Sequence, residues 1–369
     1  MNCTALVRVS LPKNLSELGG DSTLRTGAFM GCTALIDVTF NDSLTKLGAC
    51  AFYQCSSLGD VVLPNGVTVI DVRTFEESGL KSIILGNAVT EIKSFAFQNC
   101  SSLVSVNIPD TIKKINTQAF YKCTSLVIDD LNLPYLTEIG AAAFGYTKVK
   151  KVSNLGSVTT VQGFANCTEL TEFTFPDTCT TLPDNAFNGC TSLVIDDFNL
   201  LNLETFGQYA LAGVSVKKIS SLGKVTSLPA SNPNAENYGR KDVLEEVIIT
   251  SNVATIPQYS FRGYTALKKV DIDVQKTDTY SFEACTSLER VIIGDSINMI
   301  VGASFRSCTA LKSVIIKAIT PPTLENANAF TSTNNCPIYV PDSSVSAYRE
   351  ASNWSAYADR ILPLSEYAE

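Results

Sequence analysis

A unit of about 23 residues recurs along almost the whole of this 369-residue chain, and that periodicity restricts the fold more than composition can. Its clearest copy runs from Cys100 to Pro109 as Cys-Ser-Ser-Leu-Val-Ser-Val-Asn-Ile-Pro. The leading leucine, or a valine in its place, falls at Leu6, Leu35, Leu58, Leu80, Leu103, Leu126, Val149, Leu170, Leu193, Val216, Leu244, Leu267, Leu288 and Leu311. The separations are 29, 23, 22, 23, 23, 23, 21, 23, 23, 28, 23, 21 and 23 residues, which makes fourteen units. A phenylalanine after a small residue keeps the same beat, at Ala28-Phe29, Ala51-Phe52, Ala96-Phe97, Ala119-Phe120, Ala143-Phe144, Ala186-Phe187, Ser260-Phe261, Ser281-Phe282 and Ser304-Phe305. In most of these copies a cysteine follows three residues later, as Cys32 follows Phe29 and Cys55 follows Phe52.

The spacing has a direct physical meaning. In Leu-x-x-Val-x-Ile the last two apolar residues alternate with period two, as in a strand with one buried face. The proline that follows cannot donate a ladder hydrogen bond and ends the strand. The Ala-Phe-x-x-Cys step is short and is expected to form one helical turn. One unit cannot bury its apolar face alone, so the units must stack, with their strands in one long parallel sheet. At ~4.8 Å per strand, thirteen steps predict a sheet about 60 Å long. A larger period is nested inside. Residues 124–156 and 191–223 agree at 18 of 33 positions with a shift of 67, the signature of a duplicated block of three units. The second block carries extra residues at 231–239, which are expected to form a protruding loop.

The unit Ala-Phe-x-x-Cys-Thr/Ser-x-Leu-x-x-Val-x-Ile-Pro resembles the BspA-like leucine-rich repeats of bacterial surface proteins, over nearly the whole chain. The end is also similar to a terminus of that family, with Ile338-Tyr339-Val340-Pro341, Ser344 to Tyr348, Trp354, and Tyr357 to Ile361. The resemblance implies a right-handed leucine-rich-repeat solenoid, with a parallel β-sheet on one face, short helical turns and loops on the other, and a C-terminal cap. It also implies secretion or surface attachment and adhesion to host proteins, with no family-wide binding residues to carry over. The chain departs from the pattern at Val149 and Val216, whose units lack the cysteine, and at the short unit around Gly79-Leu80. The solenoid is expected over residues 1–319 and a capping segment over 320–369, where Pro321-Pro322 breaks the repeat and Val345, Tyr348 and Trp354 fall near helical spacing. The chain begins inside a unit, so Met1 is expected to be an artificial start or part of a longer protein. A signal peptide is absent from the chain and is expected to have been removed from a precursor.

Composition narrows the function. Acidic residues outnumber basic ones 36 to 28, for a net charge of −8, which disfavours nucleic acid as a partner. No stretch approaches the ~20 apolar residues of a membrane helix. There is no histidine, which removes every Ser-His-Asp or Cys-His nucleophile arrangement and every histidine-bound metal site.

Nine of the twelve cysteines (Cys3, Cys32, Cys55, Cys100, Cys123, Cys167, Cys190, Cys285 and Cys308) share one repeat position, as buried free thiols would. Cys50, Cys179 and Cys336 lie off that register. The acid pairs Asp129-Asp130, Asp196-Asp197 and Asp271-x-Asp273 suit calcium or acid–base chemistry, but solvated turn and strand-edge carboxylates explain them better, since two of the pairs are copies of one block. No catalytic, cofactor or metal residues are expected.

The outward strand positions remain as binding candidates. In the middle of the chain one outward row reads Asn107, Asn132, Ser153, Thr174, Asn199 and Ser220, small and polar. From the eleventh to the fourteenth unit the face mixes charge with isoleucine, at Glu246, Ile248, Lys269, Asp271, Arg290, Ile292 and Ile315. That mixture suits a protein contact better than a sugar site, which favours clustered aromatics. The expected function is a non-enzymatic, secreted or cell-surface recognition module that binds a host or neighbouring-cell protein. A passive spacer in an envelope protein is the alternative, and a carbohydrate-active enzyme a distant third.

Overall fold

The computed structural model describes residues 3–249 and 252–368. The expectation about Met1 lies outside them. The chain divides into two compact units, one comprising Met1–Cys179 with Ala186–Leu193, the other Thr180–Asn185 with Val194–Glu369. Both are stacks of coils joined by parallel strands.

In the first unit each full coil contributes two strands. One follows the leading leucine, as in Asp37–Thr39, Ser82–Ile84 and Ser105–Asn107. The other comes from the Val-x-x-Ile half of the repeat, as in Lys46–Leu47, Val69–Ile70, Glu91–Ile92 and Lys114–Ile115. The second row forms a six-stranded parallel sheet. In place of the expected single long sheet, the first row is broken into short sheets of two or three strands. The break after Ser105–Asn107 has a local cause. The repeat from Leu126 carries Asp129-Asp130 before Leu131, so Val127–Ile128 pairs with Lys148–Val149 and the register then slips between Leu131 and Asn132. The strand before the break loses a neighbour, and Val106 and Ile108 are only half-buried. The first long step, between Leu6 and Leu35, holds an antiparallel hairpin of Gly20–Asp21 with Thr26–Gly27.

The Ala-Phe-x-x-Cys step is not helical. It is a run of β-turns whose N–H groups alternate between two destinations. Ala51, Tyr53 and Cys55 donate three residues back, to Gly48, Cys50 and Phe52. Cys50, Phe52 and Gln54 donate across to Val72, Thr74 and Glu76 of the next coil. Cys50 and Gln54 have φ of 56° and 59°, and residues in the same two places elsewhere in the first unit, such as Phe95, Asn99, Gln118 and Lys122, are also left-handed. Left-handed residues at this spacing forbid a right-handed helical turn and aim every second N–H at the neighbouring coil. The short unit at Gly79 shows how tightly the coils approach, since a Cβ there would lie 2.0 Å from the Ser56 carbonyl oxygen.

That spacing stacks the phenylalanines. In the first unit Phe29, Phe52, Phe75, Phe97, Phe120, Phe144, Phe164 and Phe187 form a column, with centroids 4.9–5.9 Å apart and planes within 15°. Each such contact adds about 0.5–1.5 kcal/mol to simple burial. Phe75, after Thr74, escapes the small-residue pattern read from the sequence, whereas Phe164, after Gly163, obeys it and was passed over. The in-register cysteines sit beside the column. Cys55, Cys100, Cys123, Cys167 and Cys190 each donate a thiol hydrogen bond, at 2.9–3.1 Å, to the phenylalanine carbonyl of the preceding coil. All twelve cysteines are free thiols and eleven are buried. Cys3 is the exception to the expectation for the nine in-register positions, because it is exposed. Cys50, Cys179 and Cys336 are buried in other places of the coil. Where the cysteine is missing, Thr147 turns its hydroxyl onto the Phe144 carbonyl and Val214 fills the space.

In the second unit eight strands form one parallel sheet, from Phe198–Asn199 through Lys218–Ser221, Glu246–Ile249, Lys269–Ile272, Arg290–Ile293 and Ser313–Ile316 to Ile338–Val340 and Ile361–Pro363. The 231–239 segment is only partly the expected protruding loop, exposed at Asn232, Pro233 and Asn234 but packed inward after them. Ala235, Asn237 and Tyr238 are buried, and the Tyr238 ring stacks between Phe206 and Phe261 at 5.4 and 4.5 Å. The inserted residues thus supply the ring of a coil whose own position is Leu211. Phe282, Phe305 and Phe330 continue the column, which ends on Trp354, tilted by 37°.

The helix Val345–Glu350 and the 3-10 turns around it close this end. Their polar tips satisfy carbonyls that a missing next coil leaves open. Tyr348 Oη donates to Ala318, Trp354 Nε1 to Pro322 and Tyr357 Oη to Ala327. On the turn face, buried Glu283 accepts from Arg262 and Arg306, whose guanidiniums lie over the rings of Tyr259 and Tyr280. Burial alone would raise the Glu283 carboxyl, but the two arginines outweigh it and hold it below its usual value of 4.5.

Three outcomes follow. In this chain a thiol reagent should label one cysteine rapidly in the native state, Cys3, and all twelve in denaturant. Burial pushes the Cys55 and Cys167 thiols up to about 12, which slows them further. Tyr238→Phe should leave stability unchanged or raise it by about 1 kcal/mol, because the buried hydroxyl has no hydrogen-bond partner, whereas Tyr238→Ala should cost about 3–5 kcal/mol. A denaturant series on both variants checks this. A depressed carboxyl contributes stability that is present above the unfolded value near 4.5 and is lost as pH falls through the folded value. Glu283→Gln should therefore be less stable than the parent at pH 7, with the gap closing progressively below pH 4.5.

Candidate protein-binding face

The face singled out from the sequence is built by four adjacent strands of the second unit. Their register places Glu246, Lys269, Arg290 and Ser313 side by side, and Ile248, Asp271, Ile292 and Ile315 in the next row. The alternate residues Val247, Ile249, Val270, Ile272, Val291 and Ile293 are buried beneath, so these two rows point outward. The structure brings all seven predicted residues onto one sheet. Six of them are exposed or half-exposed. Ile315 is not, at 6% exposure. The reason is the strand that follows: Tyr339 sits beside Ile315 in register, Leu362 sits beside Tyr339, and the Tyr367 ring packs edge-on against Tyr339 at 5.0 Å. The apolar row therefore continues into the C-terminal segment.

Charges on this face are arranged in cross-strand pairs. Glu246 pairs with Lys218 at 3.6 Å, Glu245 with Lys268 at 3.0 Å and Glu289 with Lys312 at 3.0 Å. The pairs are solvent-exposed, so they orient side chains more than they stabilise the fold. Between the sheet and the C-terminal tail lies a groove of about 330 Å³, lined by Lys269, Glu289, Arg290, Lys312, Ser313, Tyr339, Tyr367 and Ala368. Of the charged and aromatic lining, Glu289, Lys312, Tyr339 and Tyr367 are the residues that sequence reasoning missed. Tyr339 was recoverable, because it is the outward residue of Ile338-Tyr339-Val340. Tyr367 was not, since its place depends on the 3-10 turn Leu364–Glu366.

The remaining candidates resolve into structural roles. Asp129 and Asp196 pair with Lys150 and Lys217, at 2.8 and 2.7 Å. Asp130 and Asp197 accept backbone N–H bonds from Ser153 and Ser220. The duplicated acid pairs thus hold the slipped register of the strand, and Asp273 accepts from the Ser296 N–H. Among the described residues no group of three metal-ligating side chains converges, and no helix is long and apolar enough to cross a membrane. In the polar middle row Asn107, Asn132 and Thr174 are exposed, and Asn107 also accepts from the Leu85 N–H at 2.6 Å. The most exposed apolar pair on either set of outward strands is in the first unit, where Val62 and Ile84, 61% and 52% exposed, are register partners.

Several solved structures are similar to the chain. A leucine-rich repeat protein from Bacteroides ovatus ATCC 8483 shares 22% identity over 98% of this chain and 84% of its own, with a TM-score of 0.47. A leucine rich cell surface protein from Faecalibacterium prausnitzii A2-165 shares 20% over 95% and 90%, with a TM-score of 0.37. The pneumococcal vaccine antigen PcpA shares 12% over 83% and 87%, with a TM-score of 0.37. Comparison with curated proteins returned no similar sequence. The family model for the BspA type leucine rich repeat region matches six copies, over residues 1–127, 127–232 and 234–352. With coils that stack as the repeat requires and a family model spanning most of its length, the chain belongs to the BspA-type leucine-rich repeat family.

Proposed function

We propose that the chain is a non-enzymatic recognition module of a secreted or cell-surface bacterial protein, binding a host or neighbouring-cell protein through the outward sheet face of its second unit. The observation that carries this reading is the register of four strands. It sets half-exposed Ile248 and Ile292 on either side of Asp271 in one row and charges of both signs in the next, so apolar and charged side chains alternate across one face. Adhesion to host proteins, commonly associated with this family, supports the choice of partner. The absence of histidine from the sequence weighs against catalysis.

The test is a solid-phase assay on immobilised host matrix proteins. Arg290→Ala with Ile292→Ser should weaken binding by about tenfold or more while leaving the melting temperature nearly unchanged. Asn132→Ala with Thr174→Ala, in the polar row of the first unit, should have no effect. Equal loss from both pairs, or loss only from Val62→Ser with Ile84→Ser, would move the contact off this face. A chain that binds no matrix protein at all would favour the passive spacer.

A further inference from the structure

We propose that the second unit binds short peptides with free termini, in a cavity between two connecting turns beside the C-terminal cap. This site is separate from the sheet face and does not depend on the protein-binding reading of it. The cavity has a volume of about 550 Å³ and lies between the turns 294–298 and 317–322 of successive coils. Its origin is a one-residue difference in length. Strand register matches Ile293 with Ile316 and Met299 with Thr323, so six steps along one coil face seven along the next. The longer turn contains Pro321-Pro322, which have no N–H to donate. Its backbone bonds to the coil before are Lys317 to Ile293 and Thr323 to Asn298, both at 2.9 Å. One coil earlier the corresponding gap is filled by Asp273, which lies over Gly294 and accepts the Ser296 N–H at 3.1 Å. Among the described residues no side-chain bond joins the two turns that flank the cavity, and the longer turn leaves Ile319 72% exposed.

The lining selects the ligand. Asp295 and Lys317 bring opposite charges to one cavity, and among the described residues neither has an ion pair, with the other or elsewhere. Lys218, Lys268, Lys276 and Lys312 of the same unit are each held by a carboxylate. A free carboxylate and a free ammonium together suit a ligand that carries both charges, its α-ammonium on Asp295 and its α-carboxylate on Lys317. Asn298, Thr320 and Thr323 offer amide and hydroxyl groups to the peptide bonds between. Ile297, Ile319 and Pro321 give apolar surface to its side chains, and the volume has room for several residues. The longer turn is held in place before any ligand arrives, because Tyr348 Oη donates to the Ala318 carbonyl at 2.8 Å and Trp354 Nε1 to the Pro322 carbonyl at 2.7 Å. That lowers the ordering cost of binding. No aromatic ring lines the cavity, so a peptide fits it better than a sugar.

The experiment is calorimetric titration of the full chain with trileucine, alongside N-acetyl-trileucine, trileucine amide and triacetylchitotriose. Trileucine is expected to bind, and blocking either end to weaken it by about tenfold. Asp295→Asn and Lys317→Gln, both at exposed positions, should each weaken trileucine by about tenfold with melting unchanged. Each loss should belong to one end of the peptide. Asp295→Asn should leave binding of the acetylated peptide as it was, and Lys317→Gln should leave binding of the amide as it was. Ile319→Ser should weaken all three peptides severalfold. Lys312→Ser, an exposed lysine on the sheet face paired with Glu289, should change nothing. No heat with trileucine overturns the proposal. So does a loss in either charge variant that is the same for free and blocked peptides, because a merely structural effect would not follow the terminus. Tighter binding of triacetylchitotriose, lost with Asp295→Asn, overturns it in favour of a glycan.

Discussion

The hydrogen-bond ladder between successive turns is the constraint on which the rest of each unit depends. A chain that reverses direction several times in 23 residues exposes many backbone N–H and C=O groups, and buried ones must be paired. Here every second N–H of the turn closes its own turn and the others reach the next coil, as at Cys50, Phe52 and Gln54. This needs left-handed residues twice per coil, at a cost of about 1 kcal/mol or more each when they are not glycine. Glycine takes one of these places at Gly31, Gly189 and Gly263, and side chains such as Asn99, Lys122 and Ala284 take it elsewhere. The ladder offsets that strain by leaving few buried polar groups unpaired.

Once the ladder fixes the distance between coils, side-chain choices follow from it. Rings repeated at nearly 5 Å stack in parallel, which is why phenylalanine holds its place in coil after coil. A thiol beside each ring is small enough to be buried and reaches the carbonyl of the coil before it. The position tolerates Thr147, Val214 and Tyr264 because each fills the same space and Thr147 keeps a donor. Tyr238 is the plainest case. An irregular insertion places an aromatic side chain in the column from a different point of the sequence, and the stack stays continuous from Phe206 to Phe261.

The outward strand residues escape these demands. Nothing in the ladder or the ring column dictates whether position 269 or 292 is charged, polar or apolar, so this surface is free to vary. In the second unit it combines half-exposed isoleucines, lysine–carboxylate pairs and a groove closed on one side by tyrosines. The cap serves the fold and the surface together. Tyr348 and Trp354 satisfy carbonyls at the end of the stack, while the chain that carries them brings Tyr367 back over the sheet.

The repeat by itself determined that strands would stack in parallel, that Val, Ile, Phe and Cys positions would be internal, and which residues would share the outward rows. These are consequences of periodicity, and periodicity is visible in one dimension. Tertiary structure decided what depends on a neighbour. The two-residue excess at Asp129-Asp130 breaks the sheet only because the adjacent coil lacks it, and Ile315 is buried only because Tyr339 arrives beside it. The turn was taken for a helix because most copies of Ala-Phe-x-x-Cys carry no glycine to announce their left-handed residues, Gly31 and Gly189 being exceptions. Their conformation is imposed by the hydrogen bonds they make to the next coil, 19 to 24 residues away, and local propensity has no access to that partner.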